Sequence, residues 1–287
     1  MNNYNKRIGI LYILGAAFGF ALMGLFVRLA GELPTFEKVF SRNSVATVVA
    51  FIMLIRSGYN WENIGRKNWV LLLLRSSCGF IGVICNFYAI DHMNIADASI
   101  LNKLSPFFAI LLSFIILQEK PVIMDILTTV VAFIGAIFVV KPSANFAFVV
   151  AMIGVMGGLM AGIAYALVRK MTGGGVKGMF IVFFFSAFSS ICCIPLMAMN
   201  FIMPSPVQFI MLLGSGFSAM VGQICITKAY TYAPAKEISV YDYTQVIYSA
   251  LLGFIFVGQM PDILSFIGYI IIISMAVLKW VYNNKVN

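Results

Sequence analysis

The stretch Asn86–Pro121 returns as Ile226–Pro261, shifted by about 140 residues and without a gap. In that register Ala89 meets Ala229, Ser99 meets Ser239, Leu111-Leu112 meets Leu251-Leu252 and Pro121 meets Pro261. Just upstream, Gly82 falls on Gly222 and Cys85 on Cys225, while the acidic Asp97 falls on Glu237. Leucine and isoleucine recur in any two apolar helices. Gly, Cys, Ser and Pro in one gapless register mark a duplicated unit, so the chain must fold as two related halves.

Each half is a series of apolar runs. Ten can be read, over 8–27, 36–55, 69–90, 96–117, 122–140, 147–168, 178–199, 206–229, 237–258 and 263–282. Each approaches the ~20 residues a helix needs to cross a bilayer. The chain is 62% hydrophobic and 10% charged, against ~45–50% and ~25% in soluble domains. A soluble fold cannot hide so much apolar surface, so the expected class is an all-α polytopic membrane protein of ten transmembrane helices. Breakers separate the runs, among them Gly31-Glu32-Leu33-Pro34, Lys141-Pro142 and Pro204-Ser205-Pro206. The first apolar run is too long for a cleaved signal and reads as a retained helix.

The formal net charge is +9, but the basic residues sit in short loops and act as a topology signal, not as a nucleic-acid surface. With the N-terminus inside, one side collects Lys6, Arg7, Arg56, Arg66, Lys67, Lys120, Arg169, Lys170, Lys177, Lys236 and Lys285. The other side keeps mainly Lys38 and Lys141, with Arg28 and Arg42 near helix ends. Both termini are therefore expected in the cytoplasm, with the chain in the inner (plasma) membrane. A five-helix unit is odd, so its second copy enters the membrane upside down. Residues 1–141 and 142–287 would form two inverted repeats, the architecture in which secondary transporters place substrate near mid-membrane between the halves.

On these residues the chain resembles the ten-helix EamA family of drug/metabolite transporters. The resemblance is carried by Phe87-Tyr88-Ala89-Ile90, Ala96-Asp97-Ala98-Ser99, Leu104-Ser105-Pro106-Phe107-Phe108-Ala109 and Gln118-Glu119-Lys120. Their echo is Lys228-Ala229-Tyr230, Ala235-Lys236-Glu237, Tyr243 and Leu251-Leu252-Gly253. It implies an alternating-access carrier, with export slightly favoured over import, and leaves the substrate open among amino acids, nucleotide-like metabolites, sugars and organic toxins. Two departures stand out. Gln259 closes the second signature where an acid is usual, and Arg42 of helix 2 has no basic counterpart near Val182.

Polar groups at membrane depth are costly and usually face a bundle interior. Helix 4 carries Ser99, Asn102, Lys103 and Pro106 at i, i+3, i+4 and i+7, one helical face. Helix 9 answers with Ser239, Asp242, Tyr243 and Val246. Lys103 and Asp242 either pair with each other or hold the ends of a zwitterionic substrate such as an amino acid, Lys103 taking a carboxylate and Asp242 an amine or a coupling proton. Asn86 on helix 3 and Tyr165 on helix 6 are further candidates for the same cavity. Arg75, Gly79, Gly82 and Asn86 share one face of helix 3, the glycines permitting close helix approach; Arg75 either contributes to the cavity or, the favoured reading, snorkels to the nearer interface. Pro106 is expected to break helix 4, with no counterpart in helix 9, and His92 to lie in the turn after helix 3.

Other classes fit less well. One histidine and scattered carboxylates do not make a membrane enzyme, and no filter loop or pore ring suggests a channel. The five cysteines lie in apolar runs without CxxC spacing, so no metal, disulfide frame or cofactor is expected. The expected partners are a small-molecule substrate, the lipid bilayer and a coupling proton, for a monomer or homodimer. A multidrug or organic-cation efflux carrier is the alternative, and a non-transporting receptor stands further off.

Overall fold

The computed structural model describes residues 5–58, 65–116, 123–141, 146–232 and 238–286. The signature residues Gln118-Glu119-Lys120, Pro121 and Ala235-Lys236-Glu237 lie outside them. The elements are α1 Lys6–Leu29, α2 Thr35–Arg56, α3 Arg66–His92, α4 Ile95–Asn102, α5 Ser105–Ile116 and α6 Ile123–Val140. They continue as α7 Phe146–Gly173, α8 Gly178–Met199, α9 Pro206–Tyr232, a 3₁₀ segment Ser239–Tyr243, α10 Thr244–Val257 and α11 Ile263–Val286. Among the described residues there is no strand, and 9 helical segments are long and apolar enough to cross a membrane.

The expected fourth span is the exception: it is two helices of 8 and 12 residues, α4 and α5. Pro106 has no N–H to give to Asn102, and the turn tightens, with Leu104 N–H bonding Leu101 O at 3.2 Å and Phe107 N–H bonding Leu104 O at 3.0 Å. Pro106 then sits in the first turn of α5, where a missing donor costs little. The ninth span is irregular too. It opens as a 3₁₀ turn and becomes α-helical at Thr244, and Tyr243-Thr244 stands in register with Lys103-Leu104. The expectation of an irregularity in one copy only is thus corrected: the second copy unwinds without a proline.

Counting α4–α5 as the fourth span and the 3₁₀ segment with α10 as the ninth, the spans pack as first on eighth, third on sixth, second on seventh, fifth on tenth and fourth on ninth. Glycine sets two of these seams. A Cβ on Gly19 of α1 would lie 2.9 Å from the Gly222 nitrogen of α9, and one on Gly82 of α3 would lie 3.4 Å from the Gly157 oxygen of α7. The cysteines follow suit, Cys225 lying against Gly15 and Cys85 against Gly157. Gly82 and Gly222 thus do the same job in the two copies, letting backbones approach closely where only small residues fit.

One end of the bundle is closed by polar contacts between its loops. Lys38, fully buried, donates to Gly31 O and to the Asp91 carboxylate, each at 2.7 Å. The Glu37 carboxylate accepts from Ile202 N–H at 2.8 Å, Gln208 donates to Ala30 O at 3.1 Å, and the Gln259 amide oxygen accepts from Ile95 N–H at 3.0 Å. Gln259, which departs from the family's usual acid, therefore caps α4. The chain's two ends meet at the opposite end, where Lys6 lies 5.9 Å from the centre of the Trp280 ring. His92 is the last residue of α3, stacked on Tyr88, and so belongs to the helix and not to the turn after it.

Candidate functional site

The break in the fourth span leaves Lys103 between two helices. Its ammonium, on a residue only 8% exposed, pairs with the Asp242 carboxylate at the 3₁₀ segment. Its carbonyl, released by the tightened turn, accepts a hydrogen bond from the Tyr243 hydroxyl at 3.2 Å. One residue of the fourth span is thus held through side chain and backbone by consecutive residues of the ninth. A turn earlier, the Ser99 and Ser249 hydroxyls meet at 2.9 Å in the core.

Asp242 uses one oxygen for Lys103, and its other oxygen, Oδ1, is buried without a partner. Tyr165 lies within electrostatic range of Asp242, Arg75 and Arg42. On α7 it points between the face where Ala161 meets Gly82 of α3 and the face where Gly162 meets Ser105 and Phe108. Of Tyr165, 54% is accessible. Asn86 stands where α3 approaches Gly157, and Asn102 where α4 approaches Gly158; both are half-buried. Ser239 opens the 3₁₀ segment, and its side chain is outside the described set.

On the far side of Tyr165, Arg75 and Arg42 meet at Phe185, a grouping that the sequence does not announce. The Arg75 guanidinium lies 4.0 Å from the centre of the Phe185 ring of α8, and that of Arg42 lies 5.7 Å from the same ring. Arg42 Nη1 donates to Asn43 Oδ1 at 2.6 Å. Arg42 Nε and Arg75 Nε and Nη1 are buried without hydrogen-bond partners. Arg75 therefore does not snorkel: Phe185 gives it a platform inside the protein, and Gly79 leaves the room, since a Cβ there would lie 2.8 Å from that ring. The available signal was the Arg75–Gly79–Gly82–Asn86 face, which carries the arginine inward with two packing glycines.

A bundle of apolar spans, a helix broken at an internal lysine and charged groups buried between the spans define a polytopic membrane protein with a polar interior. The EamA-like transporter family model matches residues 7–141 and again 148–279. The chain belongs to this family and is a transporter, not an enzyme. It is 31% identical over 270 residues to the pseudopaline exporter CntI of Pseudomonas aeruginosa, covering 93% of this chain and 94% of that protein. It is 24% identical over 260 residues to the S-adenosylmethionine uptake transporter of Rickettsia bellii, covering 90% and 87%. A solved crystal structure superposes with a TM-score of 0.68 at 13% identity, over 96% of this chain and 98% of that one, a likeness of fold alone.

Proposed function

We propose that the chain is a secondary transporter that exports or exchanges a small zwitterionic metabolite of amino-acid type by alternating access. The observation that carries this reading is the contact of Lys103 with Asp242 and Tyr243, where two irregular spans meet at one register position. Broken helices at mid-membrane give transporters free backbone groups and a place to bend.

Residues 1–141 and 142–287 act as inverted repeats about an axis in the membrane plane. Three observations support this: the two matches to one family model, the duplicated register and the packing of the spans. If each span exchanges with the one five places on, the first-on-eighth contact becomes the sixth-on-third, and the other three pairings, second on seventh, fourth on ninth and fifth on tenth, map onto themselves. Placing both termini in the cytoplasm follows the loop charges, and the loop end tied by Lys38 and Asp91 then faces outward. Ser99, Asn102, Asn86, Tyr165, Ser239 and Tyr243 line the route, and Asp242 receives the substrate amine or a proton after parting from Lys103. The exporter named among the relatives favours the outward direction.

Counterflow across proteoliposomes tests this. Preloaded amino acids or related metabolites are expected to drive saturable uptake of labelled substrate. Binding without flux would support a receptor instead.

A further inference from the structure

Arg42 and Arg75 lie deep in the membrane span. Arg42 is seven residues into α2, roughly 10 Å from the end that carries Lys38, and Arg75 is nine residues into α3, roughly 13 Å from the opposite end. Among the described residues, the titratable groups in electrostatic range of the two guanidiniums are each other, Tyr165 and Cys78. No carboxylate stands among them. Asp242, the acid nearest in the chain of contacts, faces Tyr165 and is already neutralised by Lys103. Among the described residues the cluster therefore holds two positive charges with no negative charge to match them, and buried charge without a counterion is strongly unfavourable.

The hydrogen-bond inventory agrees. Three guanidinium nitrogens, Arg42 Nε and Arg75 Nε and Nη1, are buried without partners. So are the Asn43 amide nitrogen and the hydroxyls of Ser76, Ser186 and Ser189, on residues 0–1% exposed. Groups this short of acceptors are completed by something the fold does not supply.

We infer that this cluster is the acidic-group subsite of the carrier and that its substrate bears at least two carboxylates, in excess of the one ammonium that Asp242 accepts. The inference rests on the proposed transport function and narrows its substrate class to net-anionic amino acids and their conjugates. The two guanidiniums lie 5.7 Å (Arg42) and 4.0 Å (Arg75) from the centre of the same Phe185 ring, so one ring gathers two separate cationic groups. Each planar guanidinium can take one planar carboxylate through paired N–H donors, so two guanidiniums call for two carboxylates. Tyr165, between the arginines and Asp242, spans the two ends of such a molecule.

Thermal shift of the purified full chain in detergent tests the subsite, with succinate, acetate, inorganic phosphate and ethylamine as probes. Succinate is expected to raise the melting temperature in a dose-dependent way and acetate to do so less. Arg42→Gln and Arg75→Gln are each expected to weaken succinate roughly ten- to hundred-fold, the loss of one charged hydrogen-bonding group. Without ligand, Arg75→Gln is expected to melt no lower than wild type, because it removes an unmatched charge. A lower ligand-free melting temperature would show that the fold itself satisfies the guanidinium and would overturn the subsite. So would equal succinate effects in wild type and both variants, no succinate effect, or a larger effect of phosphate. Succinate binding without counterflow of any metabolite would count against transport and leave the subsite standing, whereas counterflow of monocarboxylates alone, with succinate inert, would do the reverse.

Discussion

The hydroxyl of Tyr243 donates to the carbonyl of Lys103 across 3.2 Å, and these two residues hold the same place in the two copies of the repeat. A residue that touches its own counterpart sits on the axis relating the copies, as in an isologous interface. The proposed two-fold therefore runs through the broken spans, beside the Lys103–Asp242 pair. Any rocking of one repeat against the other must strain or release this contact.

Breaking the pair from either side is expected to cost more than removing it whole. Lys103→Ala leaves Asp242 buried and unpaired, at about 3 kcal/mol, the low end for a buried pair because a fifth of the Asp242 side chain stays accessible. Asp242→Asn is expected to cost less, and the double variant less than the two singles combined, which a melting-temperature double-mutant cycle measures. Counterflow is expected to be lost in all three. A double variant that transports like wild type would make the pair purely structural.

The helical spans and the duplication could be read from sequence because apolar runs and matched glycines are local signals. Gly82 and Gly222 were paired by register, and each proves to hold its α-helix close to the partner half. Register finds equivalent positions, not contacts: Ser99 aligns with Ser239, yet it meets Ser249. The Lys103–Asp242 pairing was one of two open readings, since residue type gives no distance. Arg75 was misjudged because its position on α3 allows an exit to the interface, and only the ring of Phe185 from another helix keeps it inside. The unwinding at Tyr243 has no proline to announce it.

Gly158 should tolerate no side chain. A Cβ there would lie 2.6 Å from the carbonyl oxygen of Leu101, which is backbone and cannot swing away. Gly158→Ala is expected to lower stability by about 1–3 kcal/mol through overpacking. At Gly173, the last residue of α7, a Cβ meets nothing within 4 Å, and Gly173→Ala is expected to be neutral or to stabilise by up to about 1 kcal/mol. Melting temperatures of the two variants in one detergent check the contrast, and equal losses would contradict the close α4–α7 seam.

Asp97, 5% exposed, accepts a hydrogen bond from the Tyr269 hydroxyl at 2.5 Å, joining α4 to α11. Tyr269→Phe keeps the ring and leaves the acid without that donor, at an expected cost of about 1.5–3 kcal/mol. Asp97→Asn can still accept from Tyr269 and is expected to lose less. Thermal melts of both rank them, and the opposite order would mean that Asp97 is held mainly by other groups.

Acid should weaken the polar closure at the loop end. Lys141 Nζ lies 2.5 Å from an Asp262 oxygen, and this hydrogen bond is the main cause holding the Asp262 carboxyl below its ordinary value, with Ser265 N–H on the other oxygen at 2.8 Å. A carboxyl whose folded value is depressed stabilises the fold above its unfolded value and loses that contribution as pH falls through the folded one. The contact is therefore expected to be fully present at neutral pH, to contribute less as pH falls below about 4, and to be lost once pH passes the depressed folded value. Both partners are partly exposed, so the effect should be small and screened by salt. Asp262→Asn is expected to melt slightly below wild type at pH 7 and to converge with it only once pH has fallen through the depressed folded value, where the wild-type carboxyl is itself protonated. A gap that persists or widens in acid would mean that Asp262 contributes through something other than its charge.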